Sequence, residues 1–72
     1  MFLCEAEPGK KVIIKQINDK HLKELLHAQG LFVGSEVKIL GFKTKLSPVL
    51  IQYETMKLFI RRKDARVILI ES

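Results

Sequence analysis

The sequence predicts a mainly β fold: a small, partly open barrel of about five strands, with one short α-helix between strands one and two. Three observations carry this. Runs rich in β-branched and aliphatic residues recur at close spacing, separated by Gly, Pro and polar turn signals. A single stretch, Lys20 to Gln29, has helical rather than alternating periodicity. The chain has 72 residues, enough for one small domain spanning residues 1–72 and too few for a second.

The elements follow in order. Glu7-Pro8-Gly9 is a turn signal, because Pro presets one dihedral and Gly permits positive φ. Lys11 to Ile17, with Val12, Ile13, Ile14 and Ile17, reads as strand one. Its alternation is mixed, which predicts burial on both faces over part of its length. Asn18 and Asp19 then offer an N-cap, with Asp19 suited to the first turn and the helix dipole. Leu22, Leu25 and Leu26 follow with i, i+3, i+4 spacing on one arc, and Gly30 is placed to end the helix in a left-handed conformation.

Leu31 to Gly34 is a turn whose apolar residues are expected to tuck under the helix end. Glu36 to Phe42 alternates, placing Val37 and Ile39 on one face and Glu36, Lys38 and Leu40 on the other. Lys43 to Ser47 is a polar loop, and Pro48 opens the strand Val49 to Tyr53. Glu54 to Met56 turns into Lys57 to Arg61, and Arg66 to Ile70 forms the last strand. Partial closure protects strand edges that would otherwise invite aggregation in so small a domain.

Composition narrows the function. At 47% hydrophobic and 29% charged residues, the chain is globular rather than disordered. Its core is modest for a protein of this size. A lone Cys4 cannot form an intrachain disulfide, which favours a reducing, cytosolic compartment. Met1 to Cys4 is apolar for only four residues before Glu5, far short of a signal peptide or of the roughly 20 residues that span a membrane. The sequence therefore predicts a soluble protein whose link to any membrane runs through a partner.

Catalysis is not supported. Cys4 or Ser35, His21 or His27, and Asp19 or Asp64 supply nucleophile, base and acid types, but none lies in a catalytic signature. Glu5 and Glu7 are expected to be solvated in a mobile leading segment. The glycines form neither a P-loop nor a dinucleotide fingerprint. No enzyme and no cofactor is predicted.

Metal binding has one candidate set, His21, Glu24 and His27, spaced every three residues along the helix. That spacing drifts against the ~100° helical period, leaving the two histidines about 120° apart. A single ion is poorly served by such a set, and a solvated helix surface is the simpler reading, with a weakly held transition-metal ion at no assigned site kept as the alternative.

The net charge is +5, from 13 Lys and Arg against 8 Asp and Glu. Such an excess raises the possibility of a nucleic-acid-binding barrel acting through Arg61, Arg62, Lys63 and Arg66. The positive charges are dispersed, however, and suit steering toward an acidic protein surface equally well. Barrels that bind single strands stack bases on exposed aromatics, here Phe42, Tyr53 and Phe59, each expected on a strand. Tyr53 shares parity with Val49 and Ile51 and is expected to face the core. Phe59 has the opposite parity to Leu58 and Ile60, so either it or they are expected to be partly exposed, and Leu40, Leu50 and Phe59 are the candidate apolar patch on the outer wall. On a small protein such a patch marks a protein contact more often than a base platform.

Pro8-Gly9 before a β-branched strand, then Leu25-Leu26-x-x-x-Gly30-Leu31-x-x-Gly34-x-x-Val37, resembles the FeoA family. Pro48-Val49, Leu58-x-x-Arg61 and Ala65-x-x-Ile68 extend the resemblance from about Glu7 to Glu71. The order and spacing of these pieces carry it, not any single motif. Val33 stands where the family usually has Pro, and Ser47 where it often has Gly.

The resemblance implies an SH3-like barrel, a module that is also similar to the C-terminal domain of iron-dependent repressors. Pro8, Gly9, Leu26, Gly30, Gly34 and Ala65 become architectural residues. The implied role is that of a non-enzymatic accessory for ferrous iron uptake, cytoplasmic and brought to the inner face of the membrane by its partner. That partner is a FeoB-type permease with a cytosolic GTP-binding domain. Leu40, Phe42, Lys43, Lys45, Leu50 and Phe59 are the candidate contact residues. The alternatives are the nucleic-acid-binding barrel and a transition-metal-responsive regulatory module without its DNA-binding half. A free barrel edge also leaves room for homo-oligomers.

Overall fold

The computed structural model describes residues 1–72. Five antiparallel strands form one curved sheet: β1 (Lys11–Ile17), β2 (Glu36–Gly41), β3 (Val49–Tyr53), β4 (Met56–Ile60) and β5 (Ile68–Glu71). Their order across the sheet is β4-β3-β2-β1-β5. Helix α1 (Lys20–Ala28) lies between β1 and β2, and a one-turn helix α2 (Arg62–Ala65) lies between β4 and β5. The outermost strands are not paired with each other, so the SH3-like barrel stays open.

Sixteen residues are buried and all are apolar, so the core contains no polar side chain that needs a partner. Val37, Ile39, Val49 and Ile51 fill its centre from the inward positions of β2 and β3, as the alternation predicts. Leu22 and Leu26 of α1 close one side, and Ala65, Ile68 and Ile70 another.

The mixed pattern of β1 has a different cause from the one expected. Ile13 is exposed, so the strand is not buried on both faces. The pairing with β5 shifts between Ile14 and Gln16, which marks a bulge at Lys15. One extra residue there reverses the parity, and Ile17 returns to the core beside Val12 and Ile14.

Helix α1 is capped by Asp19 alone, whose Oδ1 accepts a hydrogen bond from the Leu22 amide at 2.8 Å. Asp19 is thus the N-cap rather than a first-turn residue. At the other end Gly30 takes φ +90°, its amide reaching the His27 carbonyl and the Leu31 amide reaching that of Leu26. This pair of bonds is a Schellman motif, and it delivers Leu31 into the core with no exposure. Leu25 departs from the expected arc and is 46% exposed. Phe32 and Val33 are also exposed, so only Leu31 of that turn tucks under the helix.

Three further boundaries differ from expectation. Phe42 falls just outside β2 rather than on it, and β4 begins at Met56. Arg66 and Val67 do not join the last strand, because α2 and its cap occupy Arg61 to Arg66. The leading segment is ordered rather than mobile. Leu3–Glu5 form a 3-10 turn, Leu3 and Ala6 are buried, and Phe2 bridges Leu69 of β5. Glu5 and Glu7 are exposed as expected.

Candidate functional site

The outer face of the sheet is organised by its register. Phe59 of β4 lies opposite Leu50 of β3, and Leu50 lies opposite Gly41 of β2. The β2–β3 register shifts between Ile39 and Gly41, so Leu40 is an extra residue bulged beside this row. Leu40, Phe42, Lys43, Leu50 and Phe59 consequently line one shallow, largely apolar groove with Gly41, Ser47 and Pro48. Phe59 is 71% exposed, well beyond what a packing role requires.

Lys45, the sixth candidate contact residue, does not join this groove. It lines a separate depression on the other side of Phe42, with Cys4, Pro8, Arg62 and Arg66. Leu46 at the loop tip is 83% exposed and precedes Ser47, which lines the groove. A leucine inside an otherwise polar run was its sequence signal.

The loop that frames the groove is held by two sets of contacts. Within it, Thr44 Oγ1 lies 3.0 Å from Ser47 Oγ and accepts from the Leu46 amide, while Ser47 Oγ accepts from the Thr44 amide. Across the fold, the Arg62 guanidinium donates from Nε to the Ser47 carbonyl at 2.7 Å. Its Nη1 donates to the Cys4 carbonyl and its Nη2 to the Thr44 carbonyl, both at 3.1 Å. The same group stacks over the Phe42 ring, 4.5 Å from its centroid. One side chain thereby ties the loop, the leading 3-10 turn and α2 together.

These contacts redraw the basic cluster. Arg62 is committed to the fold, and Arg61 Nε pairs with Asp64 at 2.9 Å. Lys63 and Arg66 remain exposed without a carboxylate partner, which is a small footprint for a phosphate track. Tyr53 packs partly against the core, so Phe42 and Tyr53 are both engaged and Phe59 alone stands free.

The candidate metal residues do not converge. No three His, Cys, Asp or Glu side chains come together in an arrangement that holds an ion. His21 lies on the rim of a depression with Leu25, Arg61 and Lys63. His27 packs against Phe32, with ring centroids 4.7 Å apart. Of the residues given architectural roles, Leu26 and Ala65 are buried, Pro8 and Gly9 form the turn before β1, and the amides of Gly9 and Gly34 bond the Ile39 and Ile14 carbonyls at 2.7 Å.

A family model described as the FeoA domain matches residues 1–72. The chain belongs to the FeoA family. Among solved structures it is similar to the FeoA protein of Chlorobium tepidum, with 25% identity, a TM-score of 0.88, and coverage of 99% of this chain and 69% of that one. Iron(II) transport protein A of Clostridium thermocellum gives 25% identity and a TM-score of 0.87, covering 99% of this chain and 44% of that one. IdeR of T. acidophilum shares the fold at 19% identity and a TM-score of 0.83, with 99% of this chain aligned to 33% of that one. The chain thus spans less than half of the second protein and a third of the third. No curated protein matches it. Ser47 supplies both the carbonyl that Arg62 grips and the hydroxyl that knits the loop.

Proposed function

We propose that this chain is a non-catalytic accessory of ferrous iron uptake that acts by docking on the cytosolic, GTP-binding part of a FeoB-type permease. The iron context comes from membership of the FeoA family and from likeness to an iron(II) transport protein. The observation that carries the docking mode is the outer-face groove with Phe59 71% exposed at its rim. An aromatic held open on a rigid strand, beside apolar walls and a basic loop, has the character of an interface anchor. No helix is long and apolar enough to cross a membrane, so in this reading the permease supplies the membrane contact.

In this reading iron is the cargo of the permease, and His21, Glu24 and His27 are not brought together as a ligand set for it. Anaerobic calorimetry with Fe(II) is expected to give no heat above buffer, and clear saturable heat would overturn that part of the reading.

The docking part is tested by titrating the chain against the permease's cytosolic domain. Phe59→Ala, shown folded by circular dichroism, is expected to weaken binding at least about ten-fold, as loss of an aromatic anchor does. Phe42→Ala should weaken it too, through the loop that Phe42 and Arg62 hold. Wild-type affinity in both variants would place the contact elsewhere.

A further inference from the structure

The two edges of the sheet are not alike. The outer edge of β5 is covered by the leading segment, through the Phe2–Leu69 bridge and a bond from the Ile70 amide to the Met1 carbonyl at 2.8 Å. The outer edge of β4 has no such cover. Tyr53 pairs with Met56 across a turn of only Glu54 and Thr55, which makes Tyr53 and Met56 a mutually hydrogen-bonded pair. Alternation along the ladder then turns the N–H and C=O of Met56, Leu58 and Ile60 toward β3, and those of Lys57 and Phe59 outward. No backbone or side-chain hydrogen bond outside the β3–β4 ladder reaches Lys57 or Phe59.

The side chains beside this edge form two rows. One runs Phe59, Leu50, Gly41 and is the apolar groove. The next, about 7 Å away at two strand residues, runs Lys57, Gln52, Lys38, Lys11 across four strands. None of these three lysines has a carboxylate within ion-pair distance, although Glu36 and Glu54 flank the row. An apolar row beside an unpaired cationic row, both meeting at a free strand edge, defines what can pair there.

We propose that β4 accepts an extended segment of a partner as a sixth strand, and that this segment carries an apolar side chain and a carboxylate two residues apart. The apolar residue lies against Phe59 and the carboxylate beside Lys57, while the outward backbone groups of Lys57 and Phe59 make the ladder. The arrangement rests on the docking reading above and gives it a mode and a partner chemistry. A second copy of this chain is the poorer occupant. Pairing β4 with itself brings two lysine rows onto one face of two molecules that each carry +5, and a lysine on an edge strand opposes such self-pairing.

The test uses the full 15N-labelled chain and a synthetic ten-residue peptide alternating Val and Thr, with one Glu two residues from a Val on the same face. The expected result is chemical-shift change and slowed exchange centred on the Lys57 and Phe59 amides. Lys57→Glu is expected to weaken binding about three- to ten-fold and to favour a peptide with Lys in place of Glu. Lys57→Pro deletes an outward donor without removing a bond to β3, and an edge strand tolerates it. It should weaken binding about ten-fold while leaving the circular dichroism spectrum unchanged. Peptide shifts confined to Lys11 and Lys38, or wild-type affinity in both variants, overturn the proposal, as does a concentration-dependent dimer that occupies β4 without peptide. If the permease domain loses affinity with Phe59→Ala but not with Lys57→Pro, groove docking stands and strand addition falls. If the peptide pairs with β4 but the permease domain does not bind, strand addition stands and the permease reading falls.

Discussion

Removing the Arg62 guanidinium should cost more stability than its partly exposed position implies. Arg62→Ala deletes two part-buried bonds, to the Ser47 and Cys4 carbonyls, and an exposed one to the Thr44 carbonyl. It also deletes the stack on Phe42. Bonds from a charged donor contribute about 1.5–3 kcal/mol when well shielded. Water can re-solvate these loop carbonyls, so about 1 kcal/mol for each part-buried bond is a fairer figure. The cation–π contact adds roughly 0.5–1 kcal/mol and the exposed bond little. About 3 kcal/mol in all is expected, against a total of about 4–11 kcal/mol for a chain of this length. At about 4–8 °C per kcal/mol, the melting temperature should fall by about 12–24 °C.

Thermal melts followed by circular dichroism, with urea titrations alongside, measure this directly. Arg62→Lys is the informative companion. It keeps the charge but not the planar fork that reaches three carbonyls at once, so it should recover less than half of the loss. A melting temperature within about 2 °C of wild type for Arg62→Ala, or full recovery by Arg62→Lys, would refute the clamp.

Ile39 has no exposure at the centre of the sheet, so Ile39→Ala should cost about 3–4 kcal/mol through the cavity it leaves and lower the urea midpoint by about 1–4 M. Asp19→Ala should cost about 1 kcal/mol by freeing the Leu22 amide, and Asp19→Ser should recover most of it, read by the same titration. Glu54 is the one non-glycine residue at positive φ, at 56°. Glu54→Asn should therefore raise stability by about 0.5 kcal/mol, since Asn tolerates the left-handed region, and a lowered melting temperature would contradict that account.

Much of this architecture was legible along the chain. Val37 and Ile39 announce their inward face, and β3 and β4 follow their parity closely enough to expose Phe59. Leu40, Leu50 and Phe59 could be placed together because parity puts all three outward. The failures are equally specific. A run of isoleucines looked doubly buried because a bulge at Lys15 shifts the register. Helix α2 is four residues long, too short to show a period. The order of the leading segment depends on a bridge from Phe2 to Leu69 of β5, which lies 67 residues further along and cannot be read locally.

The sequence by itself determined the order of the strands and α1, the apolar side of β2 and β3, and which family the chain belongs to. These are properties of neighbouring residues, governed by side-chain period and turn chemistry. Only the tertiary structure decided what the charged and edge residues do. Arg62 reads as one of four basic residues in a surface cluster. In the fold it reaches carbonyls 15, 18 and 58 positions away. Lys11, Lys38 and Lys57 look scattered along the chain, yet strand register sets them in one row. Partners at such separations are chosen by how the sheet closes, and closure is a property of the whole chain rather than of any segment within it.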